Sequence, residues 1–312
     1  MLFRSSRWVV DLDGNLVKDF QTTGFDSRTW ELYLFAAFKS LDFGMDRSDA
    51  VPDFRLTKGE AKVFVEAVTA NATGNVEFDI TKPPPGPPED FWRYIENEMP
   101  QKFGSPLRSK LKKRYWERND VSGHPFVIAI ADFHSPGSMI WSHTALPLYL
   151  YGIGVDIRYG KDGSKHGVER KAREHVVGGK VVPTNFFGQA DTRHVSAILF
   201  SNAGTMAKFN RMGVLAGFGD PDVKLRRKGG FNDPTPGAFD EIPFEMNIED
   251  PDYAERWADE IEIYHNPDAA VPLHEEIFEG TTQFFLEEGD FVWRGPSPRV
   301  LYSSTMSVAL KD

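Results

Sequence analysis

The apolar positions of this chain change period several times, and each change marks an element. In DSRTWELYLFAAFKSLDFG, residues 26–44, Trp30, Tyr33, Leu34, Ala37, Phe38 and Leu41 recur at helical spacing. The segment is predicted as a helix with one buried stripe, Asp26 or Ser27 as its N-cap and Gly44 as its stop. In PDFRLTKGEAKVFVEAV, residues 52–68, the period falls to two, which predicts a strand, a turn at 57–60 and a second strand. Upstream, RWVVDLDGNLVKDF places two short apolar stretches around Asp13-Gly14, a two-residue hairpin signal. PPPGPPED (83–90) is too rich in proline for helix or sheet and reads as a stiff connector. A second helix is expected over about 106–118, a buried strand over 124–133 and a short helix over 143–152.

Beyond residue 152 the pattern turns polar and glycine-rich, a connection or boundary at 153–180. RHVSAILFSN (193–202) is then a core strand with GTMAKFNRMG turning away from it, and 259–267 and 281–294 are strand-like. The last third is therefore more β than α, and no internal repeat is visible. The expected organisation is a core in residues 1–152, the connection, and a β-rich region over 181–312 that can join the same sheet.

Composition narrows the chemistry. With 312 residues, 40% apolar, a large core can be buried. No cysteine is present, which excludes disulfides, zinc-thiolate sites and thiol nucleophiles. Neither a signal peptide nor an apolar run long enough to span a bilayer is visible, which predicts a cytoplasmic protein without a membrane partner. The net charge of −10 opposes generic affinity for nucleic acid, but it hides a gradient: residues 101–118 carry +6 and residues 239–290 carry −16. Both runs have an ordinary reading as solvated surface. The field of the acidic run, which reaches about 8–10 Å at physiological salt, should keep it away from any phosphate-binding strand.

The alternating segment carries a candidate site. If its turn lies at 57–60, Asp53 stands roughly level with Glu66 on the partner strand, where two carboxylates can converge on one hard cation. Phe64, Glu66 and Val68 share a face. Glu31, a charge within the apolar first helix, calls for a partner. An ordinary hairpin explains the same residues without any chemistry.

These elements in this order resemble the PD-(D/E)XK, restriction-endonuclease-like, nuclease superfamily: an acidic residue on a helix, a Pro-Asp strand start, an apolar strand ending in Glu-x-Lys, a basic helix and another buried strand. The resemblance covers about residues 26–152 and rests on Glu31, Pro52-Asp53 and Glu66-Ala67-Val68. The chain is also similar to a bacterial group with WELYL, PDF, VEA and SNAGT patterns. The resemblance implies an α/β fold with a mixed sheet flanked by helices, elaborated by the β-rich C-terminal region. It further implies Mg²⁺- or Mn²⁺-dependent cleavage of nucleic acid, DNA before RNA, in a setting such as restriction or phage defence, and it admits a homodimer. Asp53 and Glu66 would bind the metal and Glu31 would support it.

The superfamily's lysine, which orients or activates the attacking water, would occupy position 68, and here that residue is valine. Lys62 shares the face but stands two pleats too early, so Lys110 or Lys113 of the basic helix is the expected substitute. The competing class is a non-catalytic module that keeps the fold and binds nucleic acid or protein.

VVDLDGNLV also resembles the first motif of haloacid-dehalogenase-like phosphatases, with Asp11 and Asp13 in its two roles, Ser201, Lys208 or Lys224, and Asp220 and Asp222 following in order. Only nineteen positions separate Ser201 from Asp220, too few for the helix and strand that fold needs there. The histidine pairs His134/His143 and His265/His274 lack metal-motif spacing and lie in loop-like sequence. NAGTMAKFNRMG has two readings, an anion-binding helix start and a packed strand-to-helix turn.

Overall fold

Residues 61–71 form the longest strand of the main sheet, with Val63 to Ala67 buried on both faces. The computed structural model describes residues 24–46, 51–72, 89–135, 137–159, 165–172, 174–235 and 240–309, with Lys18, Gln21 and Ala238. The expected Asp13-Gly14 hairpin and most of the proline-rich connector lie outside these residues. Helix α1 (Phe25–Ser40) precedes strands β1 (Gly44–Asp46), β2 (Phe54–Lys58) and β3 (Ala61–Asn71). Gly24 occupies the N-cap in place of Asp26 or Ser27, and Asp26 lies in the first turn.

Lys58 pairs with Ala61, so the β2–β3 turn is only Gly59-Glu60, with Gly59 at φ +59°. Phe54 pairs with Val65, the last rung of that ladder. β3 then runs parallel to β4 (Phe126–Phe133) through Asn71.

Between β3 and β4 lies a helical run: a turn at Phe91–Arg93, a π-helical stretch at Tyr94–Glu98 and helix α2 (Met99–Leu111). The basic helix thus begins well before residue 106, and Pro106 sits inside it. It ends at Leu111, and Arg114 adopts φ +51° before a 3₁₀ turn at Tyr115–Glu117. Helix α3 (Ser138–Tyr151) follows β4.

The polar 153–180 region forms two hairpins, β5 (Ile153–Tyr159) with β6 (Lys165–Lys171) and β7 (Glu174–Val177) with β8 (Lys180–Pro183). Strand β9 (Ala197–Ser201) leads into helix α4 (Met206–Leu215). A three-stranded sheet contains β10 (Val223–Asn232), β11 (Glu241–Asn247) and β15 (Val300–Ala309). The remaining strands, β12 (Ile261–His265), β13 (Thr282–Glu287) and β14 (Asp290–Arg294), return to the main sheet.

That main sheet is mixed and eight-stranded, in the order β1-β2-β3-β4-β9-β12-β13-β14. The C-terminal region therefore completes the sheet begun by the N-terminal strands. Two apolar clusters cover its faces. Trp30, Leu34 and Phe38 of α1 pack with Val65, Ala129 and Leu199 on one side. Phe103 and Leu107 of α2 and Leu146 and Tyr149 of α3 pack with Phe64, Ile128 and Ile198 on the other. This is the period-two rule read across three strands. Among the described residues no helix is long and apolar enough to cross a membrane.

Candidate active site

Strand β2 stops at Phe54 while β3 continues, so among the described residues β3 beyond Val65 has β4 on one side and no strand on the other. At that opening the Ala67 amide, which would otherwise feed the ladder, donates to Asp53 Oδ2 at 2.7 Å. The Asp53 amide in turn donates to Glu66 Oε2 at 3.3 Å. Two carboxylates are thereby fixed side by side by backbone groups, in a register set by the tighter turn at Gly59-Glu60 rather than by the expected turn at 57–60.

Glu66 is only 2% exposed. Its face looks toward α2, where the stripe Met99, Phe103, Leu107 brings Lys110 next in helical order. Lys110 Nζ donates to Glu66 Oε1 at 2.7 Å. The cation absent from position 68 thus arrives from the neighbouring helix. Lys113 does not join it: that residue lies past the end of α2 and is exposed, as is Lys62 near the β2–β3 turn.

An open pocket of about 180 Å³ borders Asp53 and Lys110, lined by Ser27, Trp30, Glu31, Asp53, Ala67, Val68, Thr69 and Lys110, with Glu66 buried behind them. Glu31 reaches it from α1 and accepts a hydrogen bond from Arg28 at 2.9 Å. Ser27 and Thr69 hydroxyls meet at 3.2 Å across the gap between α1 and β3. Trp30 is anchored by its indole N–H on the Ala129 carbonyl at 3.1 Å. Serine, threonine and tryptophan at these places look like cap and core residues in the sequence, and no pattern there marks them as pocket wall.

Burial, and next the neighbouring Glu66 carboxylate, push Asp53 up to about 7, against the pull of Lys110 and the Ala67 amide. A proton shared by the pair relieves the repulsion that a cation would relieve. Burial and then the Glu66 and Asp53 charges also push the Tyr115 hydroxyl up to about 12, with Glu66 accepting its hydrogen bond. Tyr115 therefore holds Glu66 from a third direction.

Two carboxylates, Asp53 just before β2 and Glu66 on β3, with Asp53 bordering the pocket, suit a hard divalent ion that keeps several waters. Among the described residues no three His, Asp or Glu side chains gather into a cage, so an ion here would rest on Asp53, Glu66 and water. No residue of the acidic 239–290 run lines the pocket. Much of its charge is spent internally: Glu255 binds Lys208 and Arg211, Glu260 binds Arg227, and Glu262 binds Arg299.

The other candidates occupy separate places. Ser201 is buried and bonded to the Tyr33 hydroxyl at 2.9 Å. Lys208 is fully buried, on Glu255 and the Arg256 carbonyl, both at 2.7 Å. Lys224 faces Glu249 at 3.7 Å, and Asp220 and Asp222 are exposed. Asp11 and Asp13 lie outside the described residues. His265 bonds Gln283 and stacks on Phe285. Burial, with the Arg299 charge, pushes His143 down to about 3. The SNAGT turn is packed: a Cβ at Gly204 would lie 2.6 Å from the Trp30 ring. No family model, curated protein or solved structure matches the chain.

Proposed function

We propose that the Asp53–Glu66–Lys110 pocket cleaves phosphodiester bonds of nucleic acid, DNA in preference to RNA, with Mg²⁺ or Mn²⁺ held by Asp53 and Glu66. The observation that carries this reading is the ammonium of Lys110, placed 2.7 Å from Glu66 by a different element from the one that lacks its lysine. Its support is also topological: a helix bearing Glu31, a strand entered through Pro52-Asp53, an apolar strand carrying Glu66, a basic helix and a parallel buried strand follow one another, as in the PD-(D/E)XK superfamily.

A bound divalent ion would polarise the phosphate and lower the pKa of a coordinated water. The chain's residues do the rest. Asp53 and Glu66 are fixed by the amides of Ala67 and Asp53, and an ion would take the place of their shared proton. Lys110 offsets negative charge that develops on phosphorus oxygens. Glu31 orders water opposite Asp53, and the Tyr115 hydroxyl donates to Glu66 and fixes its orientation. Exposed Lys112, Lys113 and Arg114, at the end of α2, meet backbone phosphates, which position a strand without reading its sequence.

The test is incubation with plasmid and with single-stranded DNA and RNA under Mg²⁺, Mn²⁺ or chelator. Cleavage should need the ion and vanish in Asp53→Asn and Glu66→Gln. A second reading, a binding module on the same fold, is favoured by one observation: Lys110 and the shared proton already balance the pair's charge. Absence of cleavage with every ion, in the parent and in Val68→Lys, decides for that module.

A further inference from the structure

At the far end of the same helical run, a second polar chain is built into the molecule. Asp132, at the end of β4, is fully buried. Its Oδ1 meets His134 Nδ1 at 2.5 Å and accepts the His134 amide at 3.1 Å, while Oδ2 accepts from Ser142 of α3 at 2.7 Å. Ser138 of α3 holds the Asp132 carbonyl at 3.0 Å. On the other side of the ring, His134 Nε2 lies 2.7 Å from the Tyr94 hydroxyl, which also stands 3.4 Å from Ser135 Oγ.

The aspartate fixes which imidazole nitrogen carries the proton. Nδ1–H points at Asp132, so Nε2 is the free acceptor and Tyr94 donates to it. This is the arrangement of a nucleophile, its base and the group that orients the base. Burial raises the Tyr94 phenol above its ordinary value, so the hydroxyl stays protonated at neutral pH and needs such a base.

Three further observations set the chain apart from a filled core. Tyr94 is only partly buried, and it opens the π-helical stretch Tyr94–Glu98, a geometry often found at functional positions. It is surrounded by aromatic rings: Trp141 lies edge-on at 6.1 Å from it, Phe91 packs on Trp141 at 5.9 Å, and Trp92 packs on Phe91 at 5.4 Å. Trp92 is 52% exposed, and the next residue, Arg93, is exposed as well. An exposed indole beside a cation is suited to a nucleobase and its phosphate. Lys110 lies sixteen positions further along the run, roughly 24 Å away at helical rise, so this is not an extension of the carboxylate pocket.

We propose that Tyr94 is the nucleophile of a second site, one that forms a covalent phosphotyrosyl bond with a nucleotide phosphodiester. Tyr94 Oη attacks phosphorus, its proton passes to His134 Nε2, and the P–O bond to the leaving alcohol breaks with the electron pair on that oxygen. The leaving oxygen, which departs on the far side of phosphorus from Tyr94, takes its proton from solvent, and His134 loses the tyrosine proton to solvent afterwards. Asp132 acts as a positioning residue behind His134, and Trp92 stacks the base. No metal ion enters the step.

The experiment uses the whole chain with thymidine 5′-phosphate p-nitrophenyl ester in the presence of a chelator, which silences a metal site. A burst of about one nitrophenolate per chain is expected, with a thymidylyl adduct mapped to Tyr94 by mass spectrometry. Tyr94→Phe, which keeps the ring, should melt like the parent and form no adduct. Asp132→Asn should slow the burst on the order of 10²-fold and alter its pH dependence, which a merely structural aspartate would leave unchanged. Ser142→Ala, which removes one hydrogen bond from Asp132, replaces that comparison if Asp132→Asn does not fold. The proposal is overturned by no burst or adduct, by an adduct on another residue, or by a Tyr94 adduct whose rate and pH profile ignore the Asp132 and Ser142 changes. Because chelator is present throughout, loss of this activity and loss of metal-dependent cleavage are read separately.

Discussion

Lys110 and Val68 line one pocket, so the missing lysine can be studied by exchange. Lys110→Met should cut metal-dependent turnover by about 10²-fold, since losing one preorganised partner of the transition state costs about 3 kcal/mol. Divalent-ion binding, measured calorimetrically, should survive. Adding Val68→Lys to Lys110→Met should restore part of the rate, and a double variant no faster than Lys110→Met would remove Lys110 from the mechanism. Asp53 supplies an independent handle. Its proton is held more tightly in the folded chain, so the stability attached to it is complete below about pH 4 and is lost as pH rises through about 7. Asp53→Asn keeps an acceptor for the Ala67 amide without the charge. In chelator at pH 8 it should be more stable than the parent, by at most roughly 4 kcal/mol, with little difference at pH 4. Mg²⁺ at pH 8 should raise the parent's melting temperature and leave the variant's unmoved. Equal melting of both proteins in chelator at pH 8 would refute the shared-proton picture.

Gly204, between β9 and α4, lets the backbone approach the Trp30 ring of α1. Gly204→Ala should cost about 1–3 kcal/mol by overpacking, measurable by urea denaturation, and should disturb the pocket wall that Trp30 forms. This contact joins elements 174 positions apart, and nothing local announces it. What the sequence does announce are periods: alternation at 54–68 sets the β2–β3 pairing and hence the meeting of Asp53 with Glu66. Helix limits are less legible. Pro106 looks like a first-turn proline, yet α2 begins at Met99. Starting the helix there extends the Met99–Phe103–Leu107 stripe directly to Lys110 and leaves Lys113 beyond the last turn, so the choice between the two lysines depended on a boundary. Ser27, Thr69 and Tyr115 were illegible for a different reason, since their roles arise only where three elements converge.

The main sheet takes strands from both sides of residue 152. Strand β4 pairs with β9, β9 with β12, and Ile198, Leu199 and Ile263 supply core on both faces. A chain ending at 152 would expose the edge of β4 and should fail to give a cooperative unfolding transition by circular dichroism; a sharp transition from that fragment would show that the N-terminal part folds alone. The acidic run follows the same logic. Burial opposes the charge on Glu255, but the Arg211 hydrogen bond, Lys208 and Arg227 outweigh it and hold the carboxyl far below the carboxylate range. The formal charge of −16 therefore overstates the field that reaches the pocket. Supplying the cation from α2 has a mechanical result. A lysine on β3 would share a strand with Glu66, whereas Lys110 belongs to the helical layer packed over the sheet. The ion pair is in effect a strut between two layers, so the geometry of the site depends on how α2 seats on β3 as well as on the strands that carry the carboxylates.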